Sequence, residues 1–311
     1  MQENRIILVD GNNLTLRAAH ASPPLYDNNG VPTGGLMTSV RSICKIASQL
    51  KPRRVIWVWD GGHSKFRKEL LPSYKQKLKP PLLADDDDSK SFFHDDWLAQ
   101  VALLEKYLPL LGIGQVRIRG CEADDIIYRL VEIFRLEDLH VTIATSDADF
   151  YQLVDENCDV YNLNKNRICD QEFVRANFGV EPWQWPEFRA MTGDPSDNIG
   201  GVPGVGKILA AKFIEKYRCG SAMSPDNTKI EKIKKYEQAI LDNRDLISRN
   251  KLLMDFTALP LNEVPQEEVC AQLNHALSLQ PDLKEFWNVC MSHQLMVLTQ
   301  ESAMWKAVYC E

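Results

Sequence analysis

The sequence predicts an α/β fold: a mainly parallel central sheet flanked by helices over residues 1–190, then a mainly helical region over 191–311. Three observations carry this. Short apolar runs alternate with longer stretches of helical spacing through the first half. Acids stand directly behind those runs, as expected where parallel strands end on one ligand-binding edge. Past about residue 190, a Gly/Pro cluster and Lys-rich helical stretches replace the alternation.

The elements follow in order. RIILV at 5–9 is a buried-type strand, 35–50 is helical, and RVIWVW at 54–59 is a second strand. The segment 64–91 fits neither pattern. It is basic, then Pro-rich, then carries aspartates throughout 85–88, and reads as a partly helical surface excursion. A helix over 95–111, a strand over 115–118, a helix over 123–134 and a strand HVTIA over 140–144 complete the first domain. The cluster GGVPGVG at 200–206 precedes a helix over 207–217 and a second Lys-rich helix over 229–242. The stretch 281–311, with Trp287 and Trp305, reads as packing back on the core.

Composition narrows the function classes. Hydrophobic content of 44% and charged content of 25% are those of a soluble globular protein. The start MQENRIILVDG lacks the basic, long-apolar pattern of a signal peptide, and no run is long enough for a membrane span. The eight cysteines form no C-x-x-C pair and the six histidines are scattered, which predicts reduced thiols in a cytoplasm and no zinc centre. Any bound metal must then be held by oxygen. A net charge of −7 argues, at first sight, against a nucleic-acid partner.

The placement of the acids reverses that argument. Asp10 follows IILV, Asp60 follows VIWVW, and Asp147 and Asp149 follow HVTIAT. Glu122, Asp124 and Asp125 follow VRI and open a helix; Asp194 and Asp197 (GDPSDN) stand at the domain junction. Each has a plainer reading as a helix cap, a first-turn acid or an Asx-turn. Together they aim nine carboxylates at one crevice. Bare, these would repel until some protonated. Mg²⁺ or Mn²⁺ resolves the conflict, because hard divalent ions prefer carboxylate and water oxygens. Two such ions about 4 Å apart activate water and stabilise the leaving oxygen of a phosphodiester. Setting the nine acids aside turns the net charge slightly positive.

Lys65, Arg67, Lys68, Lys75, Lys77 and Lys79 lie beside these acids with only Glu69 among them. They can neutralise phosphates, and Tyr74 can stack on a base. The plainer alternative is a solvated basic face. Gly201–Lys207 (GVPGVGK) nearly matches a phosphate loop, but position 208 is Ile rather than Ser or Thr, no strand precedes it, and Pro203 removes an N–H donor. A glycine hairpin (Gly201, Gly204, Gly206) opening a helix at Lys207 fits better, with backbone N–H groups facing a nucleic-acid phosphate. A plain turn between packed helices stays open.

VDGNNLTLR (9–17), PTGGLMTSV (32–40), WDGGHSKFRKELLPSYK (59–75), GCEADD (120–125), ATSDADFYQL (144–153) and TGDPSDNIGGVPGVGKILAAKFI (192–214) together resemble the 5′ nucleases. These are the 5′→3′ exonuclease domain of bacterial DNA polymerase I and its stand-alone relatives, the flap endonucleases. The resemblance runs in order over about residues 5–250. It implies a PIN-like nuclease domain with a helical arch over about 64–96, then a helix–hairpin–helix region. It implies two metal clusters, one of Asp10, Asp60, Glu122, Asp124 and Asp125 and one of Asp147, Asp149, Asp194 and Asp197, holding two or three Mg²⁺ or Mn²⁺ ions. By resemblance Arg67 and Lys75 reach the scissile phosphate and Arg17 lies near the bound 5′ end. The glycine hairpin grips duplex DNA, in some relatives with a K⁺ ion. Where the family often reads Y-K-x-x-R, this chain has Tyr74-Lys75-Gln76-Lys77-Leu78-Lys79, and a lysine lacks the arginine's bidentate fork.

The expected function is a Mg²⁺-dependent 5′→3′ exonuclease and flap endonuclease, a monomer, cutting DNA with a free 5′ end at a flap, nick or RNA-primed duplex. Two readings stay open on sequence alone: a 5′→3′ ribonuclease removing RNA primers, since nothing here reads a 2′-hydroxyl, and a catalytically silent junction-binding protein on the same fold.

Overall fold

A computed structural model describes residues 4–76, 88–217, 234–260, 262–299 and 305, with the backbone alone over 88–93. Four parallel strands of one sheet come first: β1 (Arg5–Asp10), β2 (Arg54–Val58) and β4 (His140–Thr145) from the apolar runs, and β3 (Gly114–Val116) at the edge. Two further strands, β5 (Cys158–Asn162) and β6 (Arg167–Cys169), extend it. The order is β3-β2-β1-β4-β5-β6, parallel except for β6, which runs antiparallel to β5. In register, Val9 lies between Trp57 and Ala144. The chain runs outward from β1 to β2 and β3, then returns to β4 on the other side of β1. That reversal opens a crevice at the carboxyl ends of β1 and β4.

Alternation along β1 supplies both faces. Ile6 and Leu8 enter one core with Ile126, Leu130 and Phe134 of α5 (Ala123–Leu136), whose apolar residues recur at helical spacing. Ile7 and Val9 enter the other, against α2 (Gly34–Leu50) and α4 (Asp88–Tyr107). Helix α1 (Gly11–Ala21) leaves the end of β1 directly, and α3 (Lys65–Leu70) begins the excursion expected at 64–91. Of that excursion, 77–87 lie outside the described residues, so the expected roles of Lys77 and Lys79 and most of the Asp85–Asp88 run fall there too.

Helix α6 (Gln171–Phe178) leads to α7 (Trp185–Thr192), α8 (Lys207–Tyr217), α9 (Lys235–Asp242), α10 (Arg244–Met254) and α11 (Gln266–Ser278). Phe188, Phe213, Ile247 and Leu273 from these helices share one core with the α5 face of the sheet. Helix α12 (Leu283–Ser292) covers the opposite face through Phe286 and Cys290, and Trp305 is buried there, donating its indole N–H to the Leu111 carbonyl. Among the described residues, no helix is long and apolar enough to cross a membrane.

Candidate active site

The strand ends place the acids. Asp10 closes β1 and caps α1: one oxygen accepts from Asn13 N–H at 3.2 Å and the other from the Thr145 hydroxyl at 2.8 Å. Gly11 follows because a Cβ there would sit 2.2 Å from the Trp57 indole nitrogen. Asp60 lies just past β2 and accepts from Ala123 N–H at 2.8 Å, so it caps α5 from across the sheet. The two asparagines after Asp10 tie the edge together. Asn12 accepts from Asp60 N–H at 3.3 Å, and Asn13 accepts from Ser146 N–H at 3.0 Å and its hydroxyl at 2.7 Å. Asp147 turns back on Asp149 N–H at 2.8 Å. Four sequence-distant segments thus meet on one edge.

Glu122 is the hub between this edge and the basic segment. Its Oε2 accepts from Arg67 at 3.0 Å, the Tyr74 hydroxyl at 2.9 Å and Lys75 Nζ at 3.2 Å. Lys75 Nζ also lies 3.7 Å from Asp124. Burial alone would lower the pKa of this ammonium, but Asp124, Tyr74 and Glu122 outweigh it and hold it raised. Glu122 would likewise be raised by burial, yet Lys75 and Arg67 hold it below the usual glutamate range.

Three of the expected site residues face inward in this structure. Arg67 is 2% exposed, and its guanidinium is fully engaged: bidentate to Asp125 at 2.7 Å on both oxygens, to Glu122, and through Nε to the Leu253 carbonyl at 2.8 Å. It does not face solvent where a phosphate would lie. Asp125 is buried with both oxygens on Arg67, which removes it from the ligands facing the crevice. The Tyr74 ring is buried against Ile199, Leu253 and Met254, so it is not a base-stacking platform. A basic, tyrosine-containing segment looks the same in sequence whether its side chains point in or out.

The second group of acids is organised by Arg189 of α7, which no motif or spacing in the sequence singles out. Its Nε donates to Asp149 at 2.6 Å, a terminal nitrogen binds Asp194, and the other donates to the Gly193 carbonyl at 3.2 Å. Asp194 and Ile199 pair across the hairpin of β7 (Gly193–Asp194) and β8 (Ile199–Gly200). Gly193 (φ 74°) and Gly201 stand back to back: a Cβ on Gly193 would lie 2.3 Å from Gly201 N, and one on Gly201 2.4 Å from the Thr192 carbonyl. Beyond them Gly204 and Gly206 are exposed and α8 starts at the exposed Lys207. Lys65 is exposed at the start of α3, and Arg17 on α1 donates to Asn164 at 2.7 Å.

Crowding shows in the carboxyls without a basic partner. Burial, then Asp124 and Asp60, push Asp10 up to about 7. Burial with Asp149 and Asp124 holds Asp147 well above the usual range, and burial with Asp124 raises Asp60. Asp197 is pushed up to about 7 by burial, against the pull of Lys75. The donor set is all oxygen and short of positive charge, which fits hard divalent ions. Among the described residues, no three of these side chains close around one point.

Residues 5–179 match the family profile "5'-3' exonuclease, N-terminal resolvase-like domain", and 180–275 match "5'-3' exonuclease, C-terminal SAM fold". The chain belongs to the 5′–3′ exonuclease family. Among its relatives, one named 5'-3' exonuclease from Aquifex aeolicus is 31% identical over 213 residues, 68% of this chain and 69% of its own. The thermostable DNA polymerase I of Thermus thermophilus is 31% identical over 215 residues, and the match spans only 24% of that longer chain. In fold, the chain is similar to phage T5 5'-exonuclease with bound zinc (TM-score 0.69, 23% identity, 88% of this chain and 99% of that one). It is also similar to flap endonuclease-1 from Methanococcus jannaschii (TM-score 0.56, 12% identity, 99% and 94%).

Proposed function

We propose that this chain hydrolyses DNA phosphodiesters near a free 5′ end, as a 5′→3′ exonuclease and 5′-flap endonuclease in replication or repair. The observation that carries the reading is the carboxylate edge, with Lys75 held against two of its acids at the foot of the arch segment. Asp10, Asp60, Glu122 and Asp124 would hold one divalent cation, and Asp147, Asp149, Asp194 and Asp197 a second. When bound, Mg²⁺ or Mn²⁺ in such sites makes water a nucleophile at neutral pH and offsets charge on the phosphate.

The chain's own residues do the rest. Lys75 exchanges its carboxylate partners for a phosphate oxygen and stabilises charge as it develops there. Arg67 acts behind it, fixing Glu122 and Asp125. The exposed glycine turn and Lys207 present backbone N–H groups and one cation to duplex phosphate, the place where a K⁺ ion would also sit. Lys65 and Arg17 add phosphate contacts toward the 5′ strand. Two structures of the T5 protein, one with metal ions and one with DNA and metal ions, support the choice of cofactor and partner. We also place the protein as a cytoplasmic monomer, where the described free thiols would stay reduced.

The test is cleavage of 5′-flap, nicked, blunt and RNA-primed duplexes over a Mg²⁺ titration. Cleavage near the 5′ junction that disappears with chelator is expected, as is its loss in Asp147→Asn with DNA binding retained. Full activity in Asp147→Asn would refute the crevice assignment, and cleavage of only RNA-containing 5′ strands would convert the reading to a ribonuclease.

A further inference from the structure

Asn198 contributes nothing to the acid edge, yet both donors of its side-chain amide are committed. Its Nδ2 donates to the Ser73 carbonyl at 3.0 Å and to the Gln76 carbonyl at 2.5 Å, more than a hundred residues back in the chain. Between those two acceptors stands Lys75, whose own N–H donates to the Asp197 carbonyl at 3.2 Å. The hairpin carrying Asp194 and Asp197 is thereby bolted at three points to the foot of the arch segment.

Both sides of this contact hold left-handed backbone, Lys75 at φ 49° and Asn198 at φ 60°. For a lysine that conformation costs energy and persists only where the surroundings over-determine it. Asparagine tolerates it, and an amide NH₂ supplies two donors from one short side chain; Asp supplies none and Ser one. We infer that Asn198 is a positioning residue for Lys75: it locks residues 73–76 so that the Lys75 ammonium stands over Glu122 and Asp124. This rests on the nuclease reading given above. The acid hairpin keeps its own geometry through the β7–β8 pairing and Arg189, so the lock acts on the arch foot.

The experiment is single-turnover cleavage of a 5′-flap duplex with Mg²⁺, alongside DNA affinity, for Asn198→Gly and Asn198→Asp. Each is made with Lys75 present and with Lys75→Ala. Glycine keeps the left-handed backbone without the amide; aspartate keeps the shape with no donors. With Lys75 present, both should slow the cleavage step about tenfold or more, since displacements near 1 Å cost that much, while affinity changes less than about threefold. In the Lys75→Ala background they should add no further loss, because a residue acting only through Lys75 has nothing left to position. Losses that multiply in that background, or an unchanged rate in Asn198→Asp, would overturn the inference. If a thermal melt shows that Asn198→Gly does not fold, the aspartate series decides alone. No cleavage by the unsubstituted protein would overturn the nuclease reading itself, and this inference with it.

Discussion

Replacing Asp10 by asparagine should destroy activity and stabilise the metal-free protein. Asp10 is 5% exposed, and its carboxyl is pushed from the ordinary 3.8 to about 7 by burial and by Asp124 and Asp60. A raised carboxyl pKa favours folding below the ordinary value, and that contribution is lost as pH rises through about 4 to 7. At 1.36 kcal/mol per pKa unit, holding Asp10 ionised at pH 8 costs roughly 4 kcal/mol. The Thr145 hydroxyl donates to Asp10 at 2.8 Å and would have to accept from an amide, which reduces the gain to about 2 kcal/mol. For a chain of this size that is a rise of about 4 °C in Tm. Thermal unfolding in chelator at pH 4.5, 6 and 8, and again in Mg²⁺, reads it. The gain should be absent at pH 4.5, full at pH 8, and diminished or reversed by Mg²⁺, which stabilises only the carboxylate form. Equal gains at pH 4.5 and 8 would mean that packing, not charge, sets the effect, and no gain at pH 8 would refute the electrostatic account of the edge.

Two substitutions separate basic residues that the sequence treats alike. Arg67→Ala leaves Asp125 buried without its bidentate partner and should cost about 3–5 kcal/mol, read as a drop in the midpoint of denaturant unfolding; unchanged stability would put Arg67 back at the phosphate. Lys75→Ala should leave the melt nearly unchanged while lowering the single-turnover rate about 10²–10³-fold at constant DNA affinity; a loss seen only in affinity would make Lys75 a binding residue.

Parallel topology is why so much of the edge was readable. Once RIILV, RVIWVW and HVTIA are strands of one parallel sheet, their following acids must share an edge, whatever the helices do. Strand β5 escaped because CDVYN carries Asp159 in its interior, and only the fold brings Thr142, His140 and Arg5 to it, at 2.6, 2.8 and 3.1 Å. Helix α1 escaped because its opening GNN reads as a loop; its asparagines are spent on neighbouring strand ends. The inward turn of Arg67 and Tyr74, and the reach of Asn198 to residues 73–76, depend on contacts between distant segments, which no local spacing encodes.

The pairing of charges explains which acids wait for metal. Arg67 meets Asp125 and Glu122, Lys75 meets Glu122 and Asp124, and Arg189 meets Asp149 and Asp194. Among the described residues, Asp10, Asp60, Asp147 and Asp197 form no ion pair, and burial raises all four, as it still raises Asp125 and Asp149 despite their arginines. The fold thus offsets Glu122, Asp124, Asp149 and Asp194 with its own cations and leaves Asp10, Asp60, Asp147 and Asp197 without an ion-pair partner among the described residues. If arginines had been placed there too, the apo protein would be more stable, but divalent cations would be excluded from the positions next to the scissile bond. On the proposed reading, the unpaired share of the electrostatic strain of the metal-free state lies in these four carboxylates, while Glu122, Asp124, Asp149 and Asp194 would exchange a side-chain cation for the metal.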